Sequence, residues 1–543
     1  MFQRKQILLI SIVLIVLLGI HGCQQGAESP ISPGKRPNLL FIMSDDHAYQ
    51  AISAYSDKLI QTPNIDRIAK EGILFTNASV TNSICAPSRA TMLTGKHTHI
   101  HGKIDNRSPF DTTQVTFPQI LQKNGYRTAM FGKLHFGNNP KGVDDFMILP
   151  GQGHYLNPSF VSPKGDTLIE GHVTKIITDL TLNWLQKEAK KEGPFALMYF
   201  HKAPHRSWWP TPEKMKANLD KNYPLPTTLF DDYATRGSAA KTAEMRLYDH
   251  MMYRYDTKVA PEAIDAMKAQ PMPAVPDLAS PFAVYRERAT KAQQALYDPI
   301  IDHITEDFTS RWPSMNTQEK TIWKYQRYMQ DYLACIADVD EEVGRVLDYL
   351  DTEGLSDNTI VVYTSDQGFY LGEHGWFDKR FMYNESFKTP VLIRWPHVIQ
   401  PGTTSDEMVQ NLDFAQSFLE ACGIQAPTDM QGESMLPIWQ GTPEKWQRDA
   451  AYYHYYEYPA EHQVKRHYGI ATKQFKLIHF YYDVDEWELY DLINDPNEQN
   501  NLIKHPEYQL VVTGLKEKLS NLRKKYKDSP ELDQQFIERY TTK

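Results

Sequence analysis

Unbroken apolar runs that each stop at a charged cluster constrain this chain most. Asn38-Leu39-Leu40-Phe41-Ile42-Met43 ends in Ser44-Asp45-Asp46-His47, and Tyr126-Arg127-Thr128-Ala129-Met130-Phe131 is followed by Lys133 and His135. Phe195 to Phe200 is followed by His201, Lys202 and His205, and Thr359 to Thr364 by Asp366 and Gln367. A continuous apolar run of this length predicts a strand buried on both faces. Between the runs lie helical patterns at 62–72, with Pro63 near the start and Gly72 at the stop, at 117–123, and along a long amphipathic stretch at 328–350. A further strand is expected at 390–395. Strands alternating with helices imply an α/β fold with a large, mainly parallel sheet sandwiched by helices. Chemistry in such sheets gathers beyond the carboxyl ends of the strands, where the charged clusters fall.

At 543 residues the chain exceeds one small core, and its texture changes along its length. Residues 38–447 read as the main domain, within which 206–326 lose the α/β rhythm and read as an insertion shaping the mouth of a cleft. Residues 448–543, Tyr-rich strands followed by a charged helix, read as a smaller C-terminal α+β subdomain on an antiparallel sheet. At the N-terminus Arg4 and Lys5 precede the apolar run 7–20 and the sequence His21-Gly22-Cys23. This pattern fits a signal peptide over 1–22 that ends at a lipoprotein processing site, with Cys23 lipidated and 23–37 as a tether. An ordinary cleaved signal peptide with an incidental Cys fits the same residues. The expectation is an exported protein, lipid-anchored at a bacterial cell envelope and facing the periplasm or the cell surface.

Four cysteines are few for an exported chain, and Cys335 and Cys422 read as buried thiols, so no disulfide framework is indicated. A net charge of -9 argues against nucleic acid and requires any anionic substrate to meet a local basic site. Asp45, Asp46, Asp366 and Gln367 offer only hard oxygen donors, which suit Ca²⁺, with Mg²⁺ second, and not Zn²⁺. A solvated turn or helix cap is the alternative for either pair alone. Cys85, in Ser83-Ile84-Cys85-Ala86-Pro87-Ser88-Arg89, is by itself either a buried core thiol or a reactive group.

Cys85-Ala86-Pro87-Ser88-Arg89, Gly132-Lys133-Leu134-His135, Ala203-Pro204-His205, Ser365-Asp366-Gln367-Gly368 and the late Lys379 follow Asp45-Asp46 in an order that resembles the type I sulfatases of the alkaline phosphatase superfamily. The resemblance covers most of the chain. It implies that a maturation enzyme, formylglycine-generating or radical-SAM, oxidises Cys85 to formylglycine, whose hydrate attacks sulfur. It implies a metal set of Asp45, Asp46, Asp366, Gln367 and the residue derived from Cys85. It also implies that Arg89 orients that residue, that Asp366 accepts its proton, and that Lys133 and Lys379 hold sulfate oxygens. His205 would protonate the leaving oxygen, and His135 would take the proton that releases sulfate.

The family usually has Asn where this chain has Gln367, and many members have Glu where it has Asn384. The segment 368–380 resembles bacterial enzymes acting on glycosaminoglycans or on algal glycans such as ulvan, which implies substrate contacts from His374, Trp376 and Arg380. Trp376 is equally an ordinary core ring. His201 and Lys202 fit a solvated strand end. The resemblance therefore implies removal of sulfate from a sulfated polysaccharide or its oligosaccharides. A phosphomonoester or phosphonate hydrolase on the same scaffold is the alternative, and a non-catalytic sulfoglycan-binding lipoprotein is a third reading.

Overall fold

The computed structural model describes residues 36–269 and 280–541. The readings of 1–22 as a signal peptide and of Cys23 as the lipid site lie outside them. From Arg36 on, the chain forms one compact unit. Its main sheet has eight strands: β1 (Asn38–Ser44), β2 (Ile73–Phe75), β3 (Arg127–Lys133), β4 (Asp145–Leu149), β5 (Phe195–Phe200), β6 (Thr359–Ser365), β7 (Val391–Arg394) and β8 (Thr403–Ser405). They lie in the order β8-β2-β7-β6-β1-β5-β3-β4. All neighbours pair in parallel except β7, which runs against both β6 and β2. The sheet is thus mixed and mainly parallel, as the alternation of strands and helices predicts.

β1 explains why the apolar runs are continuous. Leu40 and Ile42 enter one core and Leu39, Phe41 and Met43 the opposite one, so both strand faces require apolar side chains. Phe41 alone meets the rings of Phe117, Phe200, Phe414 and Phe418 at 5.1–6.3 Å between centroids. The helices α1 (Pro63–Lys70), α2 (Cys85–Thr94), α3 (Phe117–Lys123), α4 (Val173–Glu188), α5 (Lys291–Arg311), α6 (Thr317–Thr352) and α7 (Phe414–Ala421) complete this layer arrangement. Residues of α1, α4 and α6 line the first core, and residues of α3 and α7 the second.

α6 begins at Thr317, earlier than the amphipathic pattern from Tyr328 suggests, because a capping box sets its start. Asn316 accepts from the Glu319 amide at 3.0 Å, and the Glu319 carboxylate accepts from the Asn316 amide at 2.7 Å. The insertion expected at 206–326 therefore includes the first turns of this helix. Its Trp208, Trp209, Tyr253, Tyr285, Tyr297 and Phe308 belong to the first core, so the segment is built into the main domain.

Beyond it, β9 (Ala451–Tyr455), β10 (His467–Ala471), β11 (Phe475–Phe480) and β12 (Glu486–Asp491) form an antiparallel meander. One face packs on α8 (Gln509–Lys525) through Leu477, Leu489, Val512 and Leu515. The other packs on Phe381, Met382 and Tyr383, which brings this subdomain against the segment that carries Lys379.

Candidate active site

Asp45 and Asp46 follow β1, Lys133 ends β3, Lys202 and His205 follow β5, and Asp366 and Gln367 follow β6. Because β1 lies between β5 and β6, with β3 beyond β5, these four strand ends are near neighbours. α2 delivers Cys85 as its first helical residue, and every residue of that helix is buried. Pro87 in the first turn forfeits no intrahelical hydrogen bond, because that amide has no partner in the ladder. Arg89, one turn on, lies on the same helix face as Cys85. It donates from Nε to Asp366 Oδ2 at 2.9 Å and from Nη1 to the Lys133 carbonyl, and its Nη2 is 3.6 Å from Asp45 Oδ1. The Cys-x-Pro-x-Arg spacing thus combines a helix start with a buried cation beneath it.

Gly132 has a similar local reason. It has φ +105°, and a Cβ there would fall 1.8 Å from the Phe200 carbonyl oxygen, so only glycine allows Lys133 to follow β3 at this spacing. Asp46 (φ 66°), His135 (φ 65°), Asp378 (φ 76°) and Arg380 (φ 105°) also have positive φ although each carries a side chain. Such conformations cost on the order of 1–3 kcal/mol each and gather at functional sites.

Asp46 is the hub of the cluster. Its carboxylate accepts from Lys379 Nζ at 2.6 and 2.7 Å and from Gln367 Nε2, lies 4.0 Å from Cys85 Sγ and lies 3.9 Å from His205 Nε2. The Asp46 amide donates to Asp366 Oδ1 at 3.0 Å, and Lys133 donates to Asp45 Oδ2. Asp45, Asp46, Asp366, Arg89, Lys133, Gln367 and Lys379 are all buried. Burial would raise Asp45, but Lys133, His205 and Arg89 hold it well below the usual carboxylate range. Burial wins at Asp46, pushed up to about 6 against Lys379, and at Asp366, pushed up to about 7 with Asp45 adding to it. Burial and the nearby Asp45 raise the Cys85 thiol well above its ordinary value, so as a thiol it is neutral and a poor nucleophile. Burial and Lys133 lower both His135 and His205 well below the ordinary imidazole value.

The donors fit a hard divalent cation. Carboxylate oxygens of Asp45, Asp46 and Asp366 lie within 4.8 Å of one another. Among the described residues Gln367 Oε1 is buried with no hydrogen-bond partner, and Asp45 Oδ1 has only the Arg89 guanidinium at 3.6 Å, beyond hydrogen-bond reach, so both oxygens are open to a cation. Gln367 thus presents an amide oxygen, as the usual Asn would. Asn384 meets Lys476 at 2.9 Å, and the adjacent Glu385 lies 3.4 Å from His374 Nε2.

The substrate contacts expected of His374 and Trp376 are corrected by the structure. Trp376 is wholly buried, with Tyr233 stacked at 5.4 Å and Phe381 at 4.9 Å, so neither face is free for a sugar. His374 is likewise buried, held between Asp231 at 3.2 Å and Glu385 at 3.4 Å, and these partners raise its pKa against the effect of burial. Trp376→Ala should therefore behave as a core deletion and cost roughly 3–5 kcal/mol of stability. Thermal unfolding and steady-state kinetics would check this, and a raised KM with an unchanged melting temperature would restore the sugar contact. Arg380 does reach the cleft, a space of about 270 Å³ that it shares with Arg107, Gln152, His205, Tyr255 and Lys379. Gln152, Arg107 and Tyr255 carry no motif that a single sequence exposes; they are placed by loops and by the insertion. Neither His201 nor Lys202 is a solvated strand end, since both are buried. Burial pushes His201 down to about 3, and among the described residues neither ring nitrogen has a hydrogen-bond partner.

Comparison with known proteins agrees with this geometry. Residues 37–424 match the family model described as Sulfatase, and 372–525 match one described as N-sulphoglucosamine sulphohydrolase, C-terminal. An N-acetylglucosamine-6-O-sulfatase of Bacteroides thetaiotaomicron is 46% identical over 501 residues, covering 91% of this chain and 88% of its own. An ulvan-active sulfatase of Formosa agariphila is 23% identical over 529 residues, covering 94% and 86%. A solved structure of a protein with its substrate D-glucosamine-2-N, 6-O-disulfate superposes with TM-score 0.85 at 45% identity, covering 91% of this chain and 99% of that one. With a matching family model over most of its length and a close relative along nearly all of it, the chain belongs to the sulfatase family of the alkaline phosphatase-like superfamily and is a sulfuric ester hydrolase.

Proposed function

We propose that this sulfatase removes the 6-O-sulfate from glucosamine residues of sulfated glycosaminoglycan fragments, using formylglycine formed from Cys85. The relative at 46% identity and the disulfated glucosamine bound in the similar structure favour this sugar over ulvan, whose enzyme is only 23% identical. The observation that carries the reading is the convergence of Cys85 and His205 on the aspartates: Sγ and the imidazole lie 4.0 and 3.9 Å from the two Asp46 carboxylate oxygens, and with Asp45 they bring ligand atoms within 4.8 Å of one another. The source of an attacking group and a histidine that can move a proton thus meet at one place, with Lys133 and Lys379 beside them on Asp45 and Asp46.

The cation, Ca²⁺ ahead of Mg²⁺, would be held by Asp45, Asp46, Asp366 and Gln367. Together with the aldehyde hydrate at position 85, it supplies charge neutralisation and a nucleophile stronger than a neutral thiol. The chain's own residues do the rest. Lys133 and Lys379 bind sulfate oxygens, and charge stabilisation by such preorganised cations is the largest contribution in reactions of this kind. Arg89 fixes Asp366 and orients position 85 from the next turn of α2. His205 donates from Nδ1 to the Arg206 carbonyl and directs Nε2 into the site, where it protonates the leaving sugar oxygen as the imidazolium, a form that the nearby Asp45 favours. His135, with Nδ1 buried and without a hydrogen-bond partner among the described residues, is available to take the proton that frees sulfate.

A non-catalytic binding protein has no use for two histidines and two lysines around one anion. A phosphonate monoester hydrolase from Silicibacter pomeroyi shares the fold at 18% identity and TM-score 0.61, so phosphate esters belong in the test. Sulfate release from 6-O-sulfated N-acetylglucosamine should exceed release from ulvan oligosaccharides and from aryl sulfates. It should also exceed phosphate release from phosphomonoesters; a faster phosphatase activity would overturn the assignment. Export with a lipid on Cys23 is part of the same proposal, and the intact mass of protein from its native host reads both the anchor and the conversion of Cys85.

A further inference from the structure

Beside the reacting centre, and sharing Gln152, His205, Arg206 and Tyr255 with its cleft, lies a second cavity of about 290 Å³. Tyr155, Trp209, Tyr255 and Tyr285 supply aromatic wall, and among the described residues no Asp or Glu lines it, on a chain whose net charge is -9. The neighbouring cleft, by contrast, carries Asp378, Glu457 and Glu461. The cations around the cavity differ in what already holds them. Arg206 forms a two-pronged pair with Asp256 at 2.7 and 2.8 Å. Arg288 donates to the carbonyls of Leu156 and Asn157.

Lys202 is different. It is only 4% exposed, yet among the described residues no carboxylate pairs with its Nζ and no hydrogen-bond acceptor takes it. Its Nζ lies over the Tyr155 ring, 4.8 Å from the centroid, on the cavity wall. A cation-π contact worth roughly 0.5–2 kcal/mol does not replace the hydration that a buried ammonium gives up. Burial and the nearby Lys133 push its pKa down to about 7, so an anion that arrives with a ligand both meets the amine and holds its proton in place.

We propose that this cavity is a second anion subsite, in which Lys202 receives a negatively charged substituent of the sugar whose sulfate ester is cleaved next door, or of the residue linked to it. The inference rests on the glycosaminoglycan reading above. The aromatic walls suit the apolar faces of sugar rings, and one ammonium matches one anion, either a sulfamate at C2 or a neighbouring uronate carboxylate. Lys202 is then a specificity residue that selects among 6-O-sulfated glucosamines by their second charge.

The test compares kcat/KM across substrates for the full-length matured enzyme and for Lys202→Met and Lys202→Arg. Glucosamine N,6-disulfate against N-acetylglucosamine 6-sulfate isolates the sulfamate, and N-acetylglucosamine 6-sulfate with and without a linked uronate isolates the carboxylate. The wild type should favour the doubly charged partner in one comparison by about tenfold, the effect of one charge-assisted contact. Lys202→Met should bring that ratio close to one, and Lys202→Arg should retain it. Equal ratios in wild type and Lys202→Met, or no preference in either comparison, would overturn the subsite. If no glucosamine sulfate is turned over, the functional reading fails and the subsite is judged by calorimetry. Glucosamine N-sulfate and glucuronate are then titrated into Cys85→Ala protein with and without Lys202→Met. Binding of either that depends on Lys202 would uphold the anion site, and no such dependence would refute it.

Discussion

Cys85→Ala should lower sulfate release by on the order of 10⁴-fold or more, the scale on which an enzyme loses its nucleophile, while the protein remains folded. The stability half of this expectation follows from the surroundings. The side chain is small and, as a thiol, neutral; it makes one long contact, to Asp46 at 4.0 Å, and its loss breaks none of the pairs among Asp45, Asp46, Asp366, Lys133, Lys379 and Arg89. Removing one buried sulfur costs about 1 kcal/mol by cavity bookkeeping, so the unfolding temperature should move by no more than a few degrees. The activity half follows from the position. α2 places this atom against the Asp46 carboxylate that His205 also meets. Turnover by Cys85→Ala within tenfold of wild type would remove Cys85 as the nucleophile's source. A protein that failed to fold would instead show that the residue's packing had been underestimated.

The sheet and the reacting centre were legible because burial and catalysis impose opposite requirements at a strand's end. β1, β5 and β6 must be apolar along both faces, and the residues just beyond them must be polar, so the transition at Met43-Ser44-Asp45 or Phe200-His201-Lys202 marks both the strand and the site. The short strands β2, β4 and β8 left no such mark, since three to five residues near a sheet edge carry too little periodicity. The start of α6 did carry a signal, Asn316 three residues before Glu319, which the apolar stripe from Tyr328 overshadowed. The misreading of Trp376 has a different cause. An aromatic residue in a loop beside a sugar site looks the same in sequence whether its faces are free or covered, and here they are covered by Tyr233, from the insertion, and by Phe381. His374 was similarly obscured, because its partner Asp231 lies more than a hundred residues earlier. Lys202 is obscured in the opposite sense, since a lysine after a strand suggests solvent, whereas the folded chain closes around it.

Removal of divalent cations should abolish turnover and lower the unfolding temperature, and Ca²⁺ should restore both more fully than Mg²⁺. The argument begins with charge. Asp45, Asp46 and Asp366 face Arg89, Lys133 and Lys379 in a buried cluster, so with all three carboxylates ionised, the state a bound cation favours, the charges of these six groups cancel. A sulfate monoester entering that cluster alone would bring an unbalanced negative charge into a low-dielectric space, which the lysines cannot offset while they are committed to Asp45 and Asp46. A divalent cation on the carboxylates leaves the centre positive by two, and the monoester then enters a site it neutralises only in part. Loss of the cation should thus raise KM and lower kcat together. Stability should follow by mass action, since a ligand at a hundred times its dissociation constant adds about 2.7 kcal/mol to the folded state. Zn²⁺ should restore little, because the donors are carboxylate and amide oxygens with no imidazole or thiolate among Asp45, Asp46, Asp366 and Gln367. Calorimetric unfolding and sulfate release, measured on chelated protein and after each cation is returned, read the two effects separately. Full activity in chelated protein would dismiss the cation from the reaction, and restoration by Zn²⁺ ahead of Ca²⁺ would mean that His205 or Cys85 serves as a ligand in place of the amide of Gln367.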